Sequence, residues 1–396
     1  YFESVLSNNV TATAVIVDSG FQSESGGIRA AKGVLDALPV RGGERTDIVI
    51  DDNEGHQLRF PRGLYVNRVR DADPGTSKDV FFIDFASQEF FANEQQRVMQ
   101  RFEGKISSHV SQILSTINGQ IEQIDNTSLN YNFFGNDRKP FYTCTWLASK
   151  AVPDKDVGSA AGYLFYQTRD GFNFRSIDKL FEQSPSKKFI FNNTGDKTAG
   201  KTNILSYSID SDIDLKQNMT LGTYNNRSIY FNPLSMNYYV KEYKYQPNKL
   251  GKAGKIFAAN EVADEFTNTP TRLMSHVMDV GNIPNGTGDS QLDQWKQNPT
   301  TPNYDAENTM AQSVMRYNQM FSIKINVTIA ADLSIKAGDT VSCTFPEVSG
   351  DRQTDSNPQT GGIYMVASVC HRITPRDSFT RLALVRDSFG TKSGYA

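Results

Sequence analysis

The feature that most constrains this chain is a strict alternation of apolar and polar residues near its C-terminus. Ile323, Ile325, Val327 and Ile329 alternate with Lys324, Asn326 and Thr328. A period of two places one set on each face of a strand, so the spacing predicts a half-buried β-strand. Ala337-Gly338-Asp339 is a turn signal, after which Val341, Cys343 and Phe345 resume the alternation until Pro346 stops it. A Gly-, Asp- and Pro-rich loop over 347–362 leads to Tyr364, Val366 and a strand reaching Val369. Thr374-Pro375-Arg376-Asp377 turns the chain into a last strand with Leu382, Leu384 and Val385. Four or five antiparallel strands on short turns predict a small barrel or sandwich.

The same order of signals occurs near the N-terminus. Thr13, Val15 and Val17 lie in an early apolar run, and Gly42-Gly43-Glu44 precedes Ile48-Val49-Ile50 as Ala337-Gly338-Asp339 precedes Val341-Ser342-Cys343. Tyr65-Val66-Asn67-Arg68-Val69 parallels residues 364–369, and Asp73-Pro74-Gly75 parallels Thr374-Pro375-Arg376. Residues 80–87 then match the final strand at 382–388. The shared order of turn, strand, strand, turn and strand predicts two related β modules, with residues 11–87 superposing on 321–388. Unrelated β segments that share common turn residues are the alternative.

With 396 residues, the chain calls for two to four domains. A net charge of −3 leaves no electrostatic footprint for nucleic acid or an anionic membrane, and no apolar run approaches a membrane span. The 25 Phe and 17 Tyr favour strands and broad interfaces. Cys144, Cys343 and Cys370 are odd in number and widely spaced, which argues against a disulfide framework and for small buried hydrophobes. The Asn-x-Ser/Thr triplets at Asn126, Asn218, Asn285 and Asn326 reflect composition, since Asn326 falls within a strand. The chain begins at Tyr1 without Met, so a processed N-terminus or numbering from inside a longer protein is expected.

The fold class expected is α+β and β-rich: two related small antiparallel β-barrel domains separated by mixed α/β domains. The first barrel domain covers 1–87, with a helix opening at Gly26-Gly27-Ile28 and running through Val34, Leu35 and Leu38. A mixed helical and hairpin domain covers 88–200. In it Val98, Phe102, Ile106, Val110, Ile113, Leu114, Ile117, Ile121 and Ile124 recur at helical spacing. Gly104 divides that run, Ser107 and Ser108 are candidate caps, and His109 reads as a solvated histidine. Polar residues 126–139 read as a linker, and Pro140 starts a helix holding Tyr142, Cys144, Trp146, Leu147 and Val152. Asp170-Gly171, between alternating aromatic runs, marks a hairpin over 162–176. A helical turn over 177–181 and a strand at Phe189-Ile190-Phe191 follow. Residues 201–245 form a β-rich segment leading to or joining the second barrel, with a helical excursion at 213–221 and a hairpin over 228–245. A long insertion spans 246–304, with local order around Leu273, Val277 and Val280. A helix with Met310, Val314 and Tyr317 on one face opens the final domain, 305–396.

Chemistry is hard to find. Residues 195–202, Gly195-Asp196-Lys197-Thr198-Ala199-Gly200-Lys201-Thr202, match the formal phosphate-loop pattern. A working loop needs a helix after it, and Asn203-Ile204-Leu205-Ser206-Tyr207-Ser208-Ile209 reads as a strand, so no nucleotide site is expected. His56, His109, His276 and His371 show no ligand spacing, and no C-x-x-C or G-x-S-x-G occurs. Asp210, Asp212 and Asp214 alternate but lack the glycine and terminal glutamate of a calcium loop. The expected set of catalytic, cofactor-binding and metal-ligating residues is therefore empty. A carboxylate pair brought together by the fold remains open, because such acids come from distant positions.

Three stretches carry a family resemblance. They are Phe102-Glu103-Gly104-Lys105-Ile106-Ser107 with Val110 and Ile113-Leu114; the hairpin 162–176; and the run from Met320 through Lys336-Ala337-Gly338-Asp339 to Tyr364 and Leu384. In this order the chain resembles the baseplate hub proteins of contractile-tailed bacteriophages, the T-even-type and cyanophage-type group, over most of its length but not 246–304. The resemblance implies a non-enzymatic homotrimer in the virion tail, assembled in the host cytoplasm. Its ring of six barrels would join a sixfold tail tube to a threefold spike. Implied partners are the trimeric tail spike, tail tube proteins and neighbouring baseplate proteins, with no direct membrane or sequence-specific nucleic-acid binding and no cofactor. The hub of a non-contractile tail or injection machine is a second reading. A secreted β-rich carbohydrate-active enzyme or adhesin is a third, from a different class.

Overall fold

The computed structural model describes residues 1–18, 21–25, 28–32, 40–52, 55–74, 79–128, 130–154, 161–191, 202–210, 215–244, 264–278, 306–321, 323–346 and 360–387. The N-terminal module holds nine strands: β1 (Phe2–Ser4), β2 (Thr11–Asp18), β3 (Phe21–Ser25), β4 (Ile28–Lys32), β5 (Arg45–Thr46), β6 (Val49–Asp51), β7 (Gln57–Arg59), β8 (Leu64–Pro74) and β9 (Asp79–Ala86). Five form a ladder in the order β1-β2-β9-β8-β5. Its alternation points Leu64, Val66, Phe81, Ile83 and Phe85 to one face, and Ile50 of β6 and Leu58 of β7 pack there too. Ile28 pairs with Ser25 on a separate β3–β4 hairpin, so the expected helix is replaced at its start by a strand. Gly26, Gly27 and the rest of that expected helix, 33–39, lie outside the described residues.

The middle of the chain forms a compact aromatic layer from α1 (Gln88–Gln95), β10 (Arg101–Phe102), α2 (Ile106–Thr116), β11 (Ile121–Ile124), β12 (Phe133–Phe134), α3 (Pro140–Ala148), β13 (Tyr163–Thr168), β14 (Gly171–Ser176) and α4 (Ile177–Phe181). Gly104, at φ +110°, divides the long apolar run as expected, and only its centre is helical. Ile121 and Ile124 lie instead on β11, which runs parallel to β14. The cap differs from the sequence reading as well. Lys105 holds the cap position, Ser107 sits in the first turn, and its N–H donates to Thr127 Oγ1 at 3.0 Å. The stretch 126–139 is no linker, because Tyr131 and Phe133 are buried among Phe102, Val110 and Trp146.

The C-terminal half comprises β15 (Lys187–Ile190), β16 (Thr202–Asp210), α5 (Leu215–Thr220), β17 (Asn225–Asn232), β18 (Asn237–Lys244), α6 (Asp264–Thr267), β19 (Arg272–Val277), α7 (Ala306–Met320), β20 (Ile323–Ala330), β21 (Thr340–Thr344), β22 (Gly362–Ile373) and β23 (Ser378–Arg386). Six strands close on themselves in the order β21-β15-β16-β20-β23-β22-β21, a barrel around Ile325, Val327, Val341, Tyr364, Val369 and Leu384. The fold is thus α+β and β-rich with a closed six-stranded barrel. Two of the six staves come from far upstream: β15 from the stretch assigned to the mixed domain, and β16 from 201–245. Within 246–304, β19 pairs parallel with β17 in a three-stranded sheet, β18-β17-β19. On α7 the buried residues are Thr309, Ser313, Arg316 and Gln319 together with Met315 and Met320, while Val314 is only half-buried. Finally, β1 pairs with both β22 and β2, so barrel and N-terminal ladder form one continuous sheet of eleven strands.

Candidate functional site

The two modules repeat the same construction in hydrogen-bonding detail. β2-β9-β8-β5 and β20-β23-β22-β21 are joined in the same chain order and pair in the same spatial order. In the first, Gly43 N–H donates to Val66 O at 2.7 Å, and Val66 N–H to Glu44 O at 2.9 Å. In the second, Gly338 N–H donates to Val366 O at 2.8 Å, and Val366 N–H to Asp339 O at 2.8 Å. Gly43 has φ +89° and Gly338 φ +91°, a conformation that costs a side-chain-bearing residue. Arg45 faces Tyr65 as Thr340 faces Met365. The ladder shifts register between Val66 and Arg68 on β8, and between Val366 and Ser368 on β22. Carboxylates lock both turns: Glu44 accepts from the Arg41 and Gly42 N–H groups, and Asp339 from the Lys336 N–H. The expected correspondence of 11–87 with 321–388 thus extends to connectivity, turn and bulge.

What holds the modules together is the β13–β14 hairpin and the β1 strand beside it. Glu3 on β1 is 1% exposed. Its carboxylate accepts from Tyr1 Oη at 2.6 Å, Ala337 N–H at 2.8 Å and Arg169 N–H at 3.2 Å. Burial pushes its pKa up to about 7 in spite of those donors. The Arg169 guanidinium, at the hairpin tip, donates to the Leu333 and Ser334 carbonyls. Lys336 bridges Glu122 and Asp170 at 2.6 and 2.8 Å. Behind the hairpin, fully buried Arg316 of α7 pairs with Asp178 of α4 at 2.7 Å and Asp387 at 2.8 Å. Losing one partner of such a triad would strand a buried charge.

His56 Nδ1 lies 3.0 Å from Asp52 Oδ2. His109 is not solvated: it is 0% exposed, bonds Tyr131 O through Nε2 at 2.8 Å, and meets Phe102 and Phe133 edge-on. Burial lowers its pKa. His371 Nδ1 lies 2.9 Å from Thr380 Oγ1, and burial lowers its pKa to about 4. Cys144 and Cys343 are buried thiols with raised pKa, Cys370 is half-buried, and all three are free. Among the described residues, Asp52, His56 and Asp332 bring potential ligand atoms within 4.8 Å of one another and could hold a metal ion. Their oxygens already accept from His56, Leu333 N–H, Ser334 and Lys187, an arrangement that ties the modules. The formal phosphate loop lies outside the described residues up to Lys201, and the segment after it is strand β16, where such a loop needs a helix. Asp212 and Asp214 also lie outside them.

The remaining feature is a surface. On β18-β17-β19 the polarity is inverted: Asn226, Ser228 and Tyr230 are buried, while Tyr238 is 71% exposed, Leu273 63% and Val277 73%. Register places Tyr238, Phe231 and Val277 side by side. Patterning alone exposed neither this inversion nor the buried polar residues of α7, although the alternation in 225–244 was visible.

No protein-family model matches the chain, and no curated protein matches its sequence. Among solved structures it is similar to the 43 kDa tail protein of prophage MuSo2 from Shewanella oneidensis, at 8% identity, covering 98% of this chain and 92% of that one, with a TM-score of 0.52. A tail protein from Neisseria meningitidis MC58 aligns at 11% identity, covering 95% and 96%, with a TM-score of 0.47. The Escherichia coli c3393 protein, a component of the type VI secretion system, aligns at 6% identity, covering 99% and 75%, with a TM-score of 0.41. At such identities the first likeness is one of fold, and it extends over nearly the whole of both chains.

Proposed function

We propose that the chain is a structural, non-enzymatic hub of a phage tail baseplate: a homotrimeric ring in the virion tail joining a sixfold tail tube to a threefold central spike. The observation that carries this reading is the internal duplication. Three copies of a chain with two like modules present six quasi-equivalent surfaces toward one partner, yet remain threefold toward another. Such an adaptor needs rigidity and broad interfaces, which the continuous ladder and the exposed apolar face of β18-β17-β19 supply. The fold shared with a prophage tail protein agrees with it. The partners of this reading are a trimeric spike, tail tube subunits and neighbouring baseplate proteins, with assembly in the host cytoplasm. Mass measurement and electron microscopy of the purified chain test it. Three copies in a ring with six similar lobes are expected; a monomer at tens of micromolar, or turnover of a polysaccharide, would overturn it.

A further inference from the structure

We propose that the outward face of the barrel binds the carboxylate of an acidic side chain on another protein, seated over Ala383 of β23 and gripped by Arg381. This rests on the duplicated modules and not on the ring reading, so it holds for a single chain as for a ring.

The first module shows the finished unit. Arg70 Nε and Nη2 donate to Asp84 Oδ2 and Oδ1, each at 3.0 Å. Thr13 Oγ1 donates to the same carboxylate at 2.9 Å, and the Arg70 guanidinium lies over the Phe82 ring, 5.2 Å from its centre. Cation, ring, hydroxyl donor and acid all come from one chain. A bidentate guanidinium–carboxylate contact of this kind is the strong form of an ion pair.

The second module repeats the place without the acid. Val66 faces Phe85 as Val366 faces Leu384, so Asp84 corresponds to Ala383. Thr13 faces Asp84 as Asn326 faces Ala383, and the exposed Asn326 amide can donate where Thr13 donates. Arg381 stands where Phe82 does, with its guanidinium 5.1 Å from the centre of the Phe379 ring. Arg372 of β22 lies 5.6 Å from the centre of the same ring. Both arginines are exposed, and among the described residues neither has a carboxylate within ion-pair reach. The acids nearest along the ladder are matched elsewhere: Asp210 faces Lys324, and Asp377 sits beside Arg376 at the hairpin tip. Two cations on one ring repel, and an anion between them relieves that repulsion. The space above Ala383 is open, a groove of about 440 Å³ walled by Ser208, Asn326, Ser368 and Arg381. Such a groove suits one carboxylate. A nucleic-acid backbone needs a run of cations, which its Ser and Asn walls do not carry.

The test is titration of a fluorescein-labelled oligoglutamate peptide against the full chain at low salt, read by anisotropy. Arg381→Gln should weaken binding about tenfold, because the charge-assisted pair is lost. Ala383→Asp should weaken it as much, since the chain then supplies the carboxylate itself, as the first module does. Arg68→Gln removes an exposed cation from the face where Asp84 already fills the place, and should stay within about twofold of the parent. The three substitutions change the net charge equally, so position alone distinguishes them. No binding to the parent, an equal loss in Arg68→Gln, or full affinity in Ala383→Asp would each overturn the site. A short DNA duplex that bound more tightly than the peptide, and lost its affinity with Arg381→Gln, would assign the groove to phosphates and overturn the carboxylate reading.

Discussion

Glu3 shows how much one side chain can hold at the junction of two modules. Its folded pKa of about 7 lies above the ordinary glutamate value of 4.5, and burial is the leading cause. Between those two values the folded state binds the extra proton and the unfolded state has lost it. Stability is therefore fully present below about pH 4.5 and falls as pH rises toward 7. At about 1.4 kcal/mol per unit, the loss is at most ~3 kcal/mol. Glu3→Gln should flatten that part of the stability profile in urea titrations, and a slope between pH 4.5 and 7 identical to the parent's would exclude the assignment. Nothing in the sequence around Tyr1 announces this role. Glu3 is buried by Ala337 and Arg169, residues 334 and 166 positions away. Arg316 and His109 were hidden in the same way, since a polar residue's burial is decided by distant partners that local patterning does not register. Gly338 was legible, because its turn needs a positive φ and the flanking strands are short-range.

At the scale of elements, legibility followed how local the determining physics is. The hairpin at Asp170-Gly171 and the helix opening at Pro140 were readable because turn and cap chemistry act over a few residues. Ile121 and Ile124 continued a helical spacing, yet Asn118, at φ +53°, and the parallel partner β14 turn them into a strand. The barrel stave β16 fell in the 201–245 stretch expected to lead to or join the barrel, but β15 could not be placed, since the pairing of Lys187 with Val341 spans more than a hundred residues. The hairpin itself bears a stringent prediction. Gly171 has φ +145°, and a Cβ there would stand 2.6 Å from the Gln120 carbonyl oxygen and 3.0 Å from the Glu122 nitrogen. Gly171→Val therefore combines backbone strain with a collision against β11 backbone that cannot swing aside, and should cost about 2–4 kcal/mol. An unchanged denaturation midpoint would remove the hairpin from its place beside β11.

At the scale of the whole molecule, the duplication was visible as an order of turns, whereas the way the modules interlock was not. Leu333 leaves the barrel on the turn after β20 and is 1% exposed in the core of the other module, among Leu58, Leu64, Val66 and Phe81. Its N–H donates to Asp52 Oδ2 at 3.2 Å, and its carbonyl accepts from Arg169. The barrel thus inserts a side chain into the N-terminal ladder at the point where β1 stitches the two together. Leu333→Ala should cost about 2–5 kcal/mol, the range for removing a buried leucine whose surroundings relax only in part. The loss should fall in the module that does not contain the residue in sequence. Amides of residues 64–66 and 81–86 are expected to exchange faster in the variant, while those of 323–329 and 382–385, in the barrel core, keep most of their protection. If the barrel amides alone lost protection, Leu333 would belong to the barrel core, and the modules would be joined by β1 and the hairpin without it.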